Sequence, residues 1–162
     1  MEKRAFLKSC SKIFIDSAFV QKGNTFFYDN QNGIILVFAV YKSSYGAYYY
    51  MEHGIVFSAI NKHMPFPKYN ELNINFGRIM FPFGKAIFYE SMNECDFEEL
   101  MITIKQIIKQ MRPIVDGGKN KIVHQIVIPS PKMISYVLKD TPEYLGLCND
   151  FFKEHRIPIV DY

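Results

Sequence analysis

Apolar and polar positions repeat along this chain with two different periods, and the switch between periods marks its elements. Over residues 2–20, Phe6, Leu7, Cys10, Ile13, Phe14 and Ala18 fall on one arc of a helical wheel, with Arg4, Lys8, Ser11, Lys12 and Asp16 opposite. The spacing predicts an amphipathic helix that turns near Phe19, with Gly23 as its stop. Residues 25–28 and the unbroken apolar run 34–41 flank Asp29-Asn30-Gln31-Asn32-Gly33. Asn and Gly tolerate the positive φ of tight turns, so this pattern predicts a hairpin. The unbroken run predicts a central strand covered on both faces.

A third strand is expected over residues 47–57. Its odd positions, Ala47, Tyr49, Met51, His53, Ile55 and Phe57, read as the core side. Its even positions, Tyr48, Tyr50, Glu52, Gly54 and Val56, take the other side, and Gly54 marks a bulge that resets the alternation. Pro65 and Pro67 put a loop over 61–70, and Leu72, Ile74 and Phe76 alternating with Asn73, Asn75 and Gly77 predict a half-exposed strand. Pro82 and Gly84 then split the aromatic stretch into short or edge segments at 78–81 and 85–89.

The clearest helical pattern covers 96–115, where Phe97, Leu100, Met101, Ile104, Ile107, Ile108, Met111 and Ile114 recur at helical spacing. Asp96 and Glu99 have capping-box spacing, and Gly117-Gly118 ends the element, leaving 117–121 as a linker too short to separate domains. Further on, a strand at 122–128 and helices at 131–139 and 141–154 are expected. The sum is an α+β fold, a single domain over 1–162. A meandering antiparallel sheet packs against an N-terminal helix and a long central helix, with short helices at the C-terminal end.

Composition narrows the function classes. Hydrophobic residues make up 49% of the chain and charged residues 22%, which suits a cored globular domain. The 19 basic and 16 acidic residues are intermixed, without the basic stripe of a duplex-binding protein. Cys10, Cys95 and Cys148 are odd in number and far apart, which excludes a disulfide framework and a thiolate zinc site. Lys8, Lys12 and Asp16 interrupt the apolar runs near the start, and no stretch approaches a membrane span. A cytoplasmic protein without membrane contact is expected.

Catalytic signatures are sparse. His53, His63, His124 and His155 are candidate bases, and none shares a local signature with a cysteine. Neighbours such as Glu52 and His53 point to opposite strand faces, so neither a metal site nor a cofactor is expected. Gly77 through Gly84-Lys85-Ala86 lacks P-loop spacing, and Gly117-Gly118-Lys119-Asn120 follows a helix instead of opening one; both read as turns. The feature that stands out is Tyr45, Tyr48 and Tyr50 with Glu52, an aromatic ladder of the kind enriched at protein interfaces.

The order of features then becomes informative. An N-terminal helix, Phe19, Lys22-Gly23-Asn24-Thr25-Phe26, Tyr41-Lys42-Ser43-Ser44, Gly54 and Arg78-Ile79 together resemble the bacterial domain of unknown function 4304 family over residues 5–115. Family members tend to carry Gly where this chain has Ala18, and tryptophans where it has Ile87, Phe88 and Tyr89. The resemblance implies a helix-packed antiparallel sheet and carries no catalytic residues.

The expectation is a non-enzymatic cytoplasmic binding module acting by protein–protein contact, of immunity or accessory type, with Tyr45, Tyr48, Tyr50 and Glu52 as its binding residues and another protein, or a second copy, as partner. The alternative is a small hydrolase or transferase with His53 as general base and Glu52 nearby. A further alternative, less favoured, is single-stranded nucleic-acid binding with Lys42, Lys62 and Lys85 supplying charge.

Overall fold

The computed structural model describes residues 3–58, 65–68, 71, 72 and 74–122. Helix α1 (Lys3–Asp16) buries Phe6, Cys10, Ile13 and Phe14, the arc its sequence predicts. It ends earlier than expected, because the chain closes a Schellman motif. Phe19 N–H donates to Phe14 O at 2.9 Å and Ala18 N–H to Ile15 O at 3.0 Å, with the Phe14 and Phe19 rings edge-on at 5.4 Å. Ala18 occupies the left-handed position of that motif with φ of 65°. Gly23 is therefore not the helix stop. It turns a hairpin between β1 (Val20–Lys22) and β2 (Thr25–Asp29), with φ of 62°.

Strands β3 (Ile34–Lys42), β4 (Tyr49–Phe57) and β5 (Ile74–Arg78) complete a five-stranded antiparallel meander in sequence order. The β2–β3 turn is held by side chains, with Asp29 Oδ1 accepting from Gln31 N–H at 2.7 Å and Asn32 Oδ1 accepting from Ile34 N–H at 3.1 Å. Gly54 marks the expected irregularity, since the β4–β5 register shifts between His53 and Gly54. A Cβ at Gly54 would stand 2.4 Å from the Ile74 carbonyl oxygen, so only glycine lets the two backbones approach this closely. Strand β4 starts two residues later than expected. Ala47 is exposed in the loop 43–48, which Ser43 N–H closes on Tyr48 O at 2.9 Å.

The register assigns side chains to two sheet faces. On one, Phe26, Tyr28, Leu36, Phe38, Val40, Met51 and Ile55 meet α1: Phe14 stacks on Phe26 at 4.1 Å and touches Phe38 at 5.0 Å, and Phe6 reaches Tyr49 and Tyr89. Burying rings of this size on one sheet face contributes strongly to the hydrophobic stabilisation of the domain. Helix α2 (Glu94–Asp116) reaches the same side through Arg112, which donates to Ser17 O and to Tyr28 Oη at 3.2 Å each and lies over the Tyr28 ring. On the other face, Phe27, Ile35, Val37 and Val56 form a cluster capped by Phe66 and Leu72.

The α2 cap lies three residues before the expected one. Asn93 Oδ1 accepts from Asp96 N–H at 2.9 Å and Asp96 Oδ2 from Asn93 N–H at 3.1 Å, a reciprocal box built on Asn93 and not on the Asp96–Glu99 pair. The chain divides into two compact units, Met1–Arg112 and Pro113–Tyr162. In the second, the expected linker at 117–121 is instead a turn at Gly117 followed by α3 (Gly118–Ile122). The elements expected beyond Ile122 lie outside the described residues.

Candidate functional site

The sheet face away from α1 changes character along its length. Near Gly54 it is apolar and capped. Towards Tyr50 the register sets Tyr41 opposite Tyr50 and Glu52 opposite Arg78, and a polar aromatic cluster results. Tyr41 Oη donates to Glu52 Oε1 at 2.5 Å, while Arg78 Nε donates to Tyr41 Oη at 3.0 Å and stands 3.4 Å from Glu52 Oε1. The guanidinium lies over the Tyr50 ring, with Cζ 3.7 Å from the ring centroid. Tyr48 meets Tyr50 edge-on at 5.3 Å and Phe88 at 4.9 Å.

This cluster is wired on its inner side and open on its outer side. Partial burial and the acceptor Glu52 both hold the Tyr41 phenol above its usual range. Hydrogen bonds from Ser43 and then Tyr50 lower the Tyr48 phenol, and the bond with Tyr48 raises Tyr50. Arg78, bonded to Tyr41, stays charged. Its side chain remains 42% exposed against 15% for Glu52, so the carboxylate forms the floor and the guanidinium the rim. Phe88 is 52% exposed beside Tyr48.

Of the expected binding residues, the structure brings Tyr48, Tyr50 and Glu52 together on one face. Tyr45 lies off the strand, in the loop 43–48, where its N–H donates to Ser43 Oγ at 3.0 Å and its side chain is almost fully exposed. Sequence reasoning missed Tyr41, Arg78 and Phe88 as members of this cluster. Tyr41 closes an apolar run and was legible as strand only; Arg78 finds Glu52 through a bulged register that no periodicity encodes.

The alternative pair, His53 and Glu52, does not converge. His53 projects to the helix-side face, with its ring between Phe38 at 5.4 Å and Phe76 at 5.1 Å, while Glu52 projects to the opposite face. Burial lowers the imidazole to about 4, partly opposed by a backbone hydrogen bond at Gly77, and Nδ1 has no hydrogen-bond partner among the described residues. Cys10 is buried on α1 and its thiol is pushed up to about 12 by desolvation, far from the thiolate form that nucleophilic chemistry needs. Gly84 closes a turn with Phe81, as expected, whereas Gly77 does not lie in a turn: it pairs with His53 inside β5, at a positive φ of 78°. His63, His124, His155, Cys148 and Lys62 lie outside the described residues. Among the described residues there is no group of three or more His, Cys, Asp or Glu side chains able to hold a metal ion, and no helix is long and apolar enough to cross a membrane.

The family model described as Domain of unknown function (DUF4304) matches residues 12–124. The chain belongs to the DUF4304 family. The match takes in every strand, α2 and the whole back-face cluster; against the 5–115 span that the short motifs indicated, it starts later, within α1, and runs further at the C-terminal end. Comparison with curated proteins and with solved structures returns no match. In this DUF4304 chain the Gly expected before Phe19 is replaced by Ala18, and the backbone keeps the left-handed conformation that a glycine would favour.

Proposed function

We propose that this protein is a non-enzymatic binding module of the bacterial cytoplasm, of immunity or accessory type, that holds a protein partner on the open half of its back sheet face. The observation that carries this reading is the contrast in how the aromatic residues are used. Phe6, Phe14, Phe26 and Phe38 are sealed between α1 and the sheet, whereas Tyr48, Tyr50 and Phe88 stand partly exposed around a fixed arginine. Tyrosine and arginine together supply contact area and hydrogen bonding at little entropic cost, which is why they dominate the energetic centres of interfaces.

Tyr48→Ala with Tyr50→Ala, used as bait in a pull-down from the native host beside the unsubstituted protein, tests the proposal. The expected result is a stoichiometric partner captured by the unsubstituted protein and lost with the double variant. Equal recovery by both baits, or no partner with either, contradicts it.

A further inference from the structure

The back-face cluster also specifies what its partner must offer. Arg78 is held on three sides: Nε is committed to Tyr41 Oη, Glu52 stands 3.4 Å from Nε, and the guanidinium sits over the Tyr50 ring. Among the described residues its hydrogen bonding runs through Nε alone, and its side chain is 42% exposed. A guanidinium fixed in this way presents a planar fork whose natural complement is a carboxylate taken bidentately. Tyr48, Tyr50 and Phe88 beside it form an apolar rim suited to a neighbouring hydrophobic side chain.

We propose that the open half of the back face recognises an acidic segment of a partner protein: an Asp or Glu carboxylate seated on Arg78, flanked by an apolar or aromatic residue packed on Tyr48 and Phe88. This rests on the protein-contact reading above and gives it a chemistry. A single-stranded nucleic acid fits the same surface less well. The Tyr50 face that a base would stack on is covered by Arg78, and the one guanidinium of the cluster is already partly neutralised by Glu52, whereas a strand of phosphates needs a run of cations. Charge complementarity therefore favours a single carboxylate in an apolar setting.

Selection of a random dodecapeptide display library on the whole protein, with the Tyr48→Ala, Tyr50→Ala double variant for counter-selection, tests the inference. Peptides retained only by the unsubstituted surface are expected to share an Asp or Glu beside an apolar position. Changing that acid to its amide in a synthetic peptide should weaken binding by about tenfold, as loss of a charge-assisted bidentate pair does. Arg78→Lys, which keeps the charge and removes the fork, should weaken the acidic peptide to a similar degree while circular dichroism and thermal melting report an intact fold. Patch-dependent peptides with no shared acid overturn the acidic-segment inference and leave the contact reading standing. Absence of any patch-dependent peptide contradicts both. Displacement of the peptide by a dT20 oligonucleotide at micromolar concentration in physiological salt overturns the inference in favour of the nucleic-acid reading.

Discussion

Both faces of the sheet carry aromatic rings, and they use them oppositely. On the helix side, Phe14 sits within 5.7 Å of Phe26, Phe38 and, through Phe19, a second contact with Phe38, and every one of these rings is buried. On the back face the half near Val56 is sealed by Phe66 and Leu72, while the half near Tyr50 keeps phenols, a carboxylate and a guanidinium in one hydrogen-bonded group with its rim in solvent. The lesson is that aromatic content alone says little about role. A phenylalanine with helix cover stabilises the fold, and a tyrosine with a polar partner and an open edge is available for recognition.

Substitutions should separate the two faces by size of effect. Phe14→Ala removes the ring at the centre of the helix-side stack and should cost about 3–5 kcal/mol in urea unfolding. A loss below about 1 kcal/mol would mean that this face is not the structural one. Gly54→Ala probes the seam where β5 meets β4. Its methyl group would collide with the Ile74 carbonyl oxygen at 2.4 Å and a Leu72 methyl at 2.8 Å, so a loss of about 3 kcal/mol is expected by the same measurement.

His53 gives the helix side a pH dependence in the acid range. Its folded-state value of about 4 lies below the 6.5 of an unfolded histidine, so between those values the unfolded chain binds more protons than the folded one. The contribution is fully present above pH 6.5 and is lost as pH falls towards 4. Unfolding measured at pH 7.5 and again at pH 4.5 should show roughly 2–3 kcal/mol less stability attributable to this residue. His53→Leu should remove that part of the difference, and an identical pH profile in the variant would show that the ring is not buried neutral between Phe38 and Phe76.

The smallest expected effect has the opposite sign. Ala18 holds φ of 65° at the Schellman position of α1, a conformation that costs an L-residue about 1 kcal/mol and glycine almost nothing. Ala18→Gly should therefore raise stability by up to about 1 kcal/mol, although glycine lowers it at most other sites. A loss of stability would mean that the helix ends differently.

Much of this was legible in the sequence where one physical rule acts locally. The arc of α1, the stripe of α2, the Asn-Gly turn after β2 and the bulge at Gly54 each follow from a periodicity or a backbone preference, and the α+β meander follows from their order. The grouping of Tyr48, Tyr50 and Glu52 on one side was legible for the same reason. What the sequence hid depends on register or on competing local bonds. Strand β1 was absorbed into the helix reading because the Schellman closure at Phe14–Phe19 interrupts an amphipathic pattern that continues beyond it. The α2 cap fell to Asn93, whose side-chain Oδ1 accepts from the Asp96 backbone N–H while the Asp96 carboxylate accepts from the Asn93 backbone N–H, so Asp96 serves as the N3 residue of the box and not as its first. Arg78 joined the tyrosine cluster through a β4–β5 pairing that slips at Gly54, and Tyr41 joined through the pairing of β3 with β4.

The most direct test is photo-CIDNP NMR of the tyrosine rings, recorded on the free protein and again with the captured partner bound. The account predicts polarised signals from Tyr45, Tyr48 and Tyr50 and silence from Tyr49 in the free protein, then quenching of Tyr48 and Tyr50 in the complex. Silent Tyr48 and Tyr50 rings in the free protein, or signals that a bound partner leaves unchanged, would contradict it.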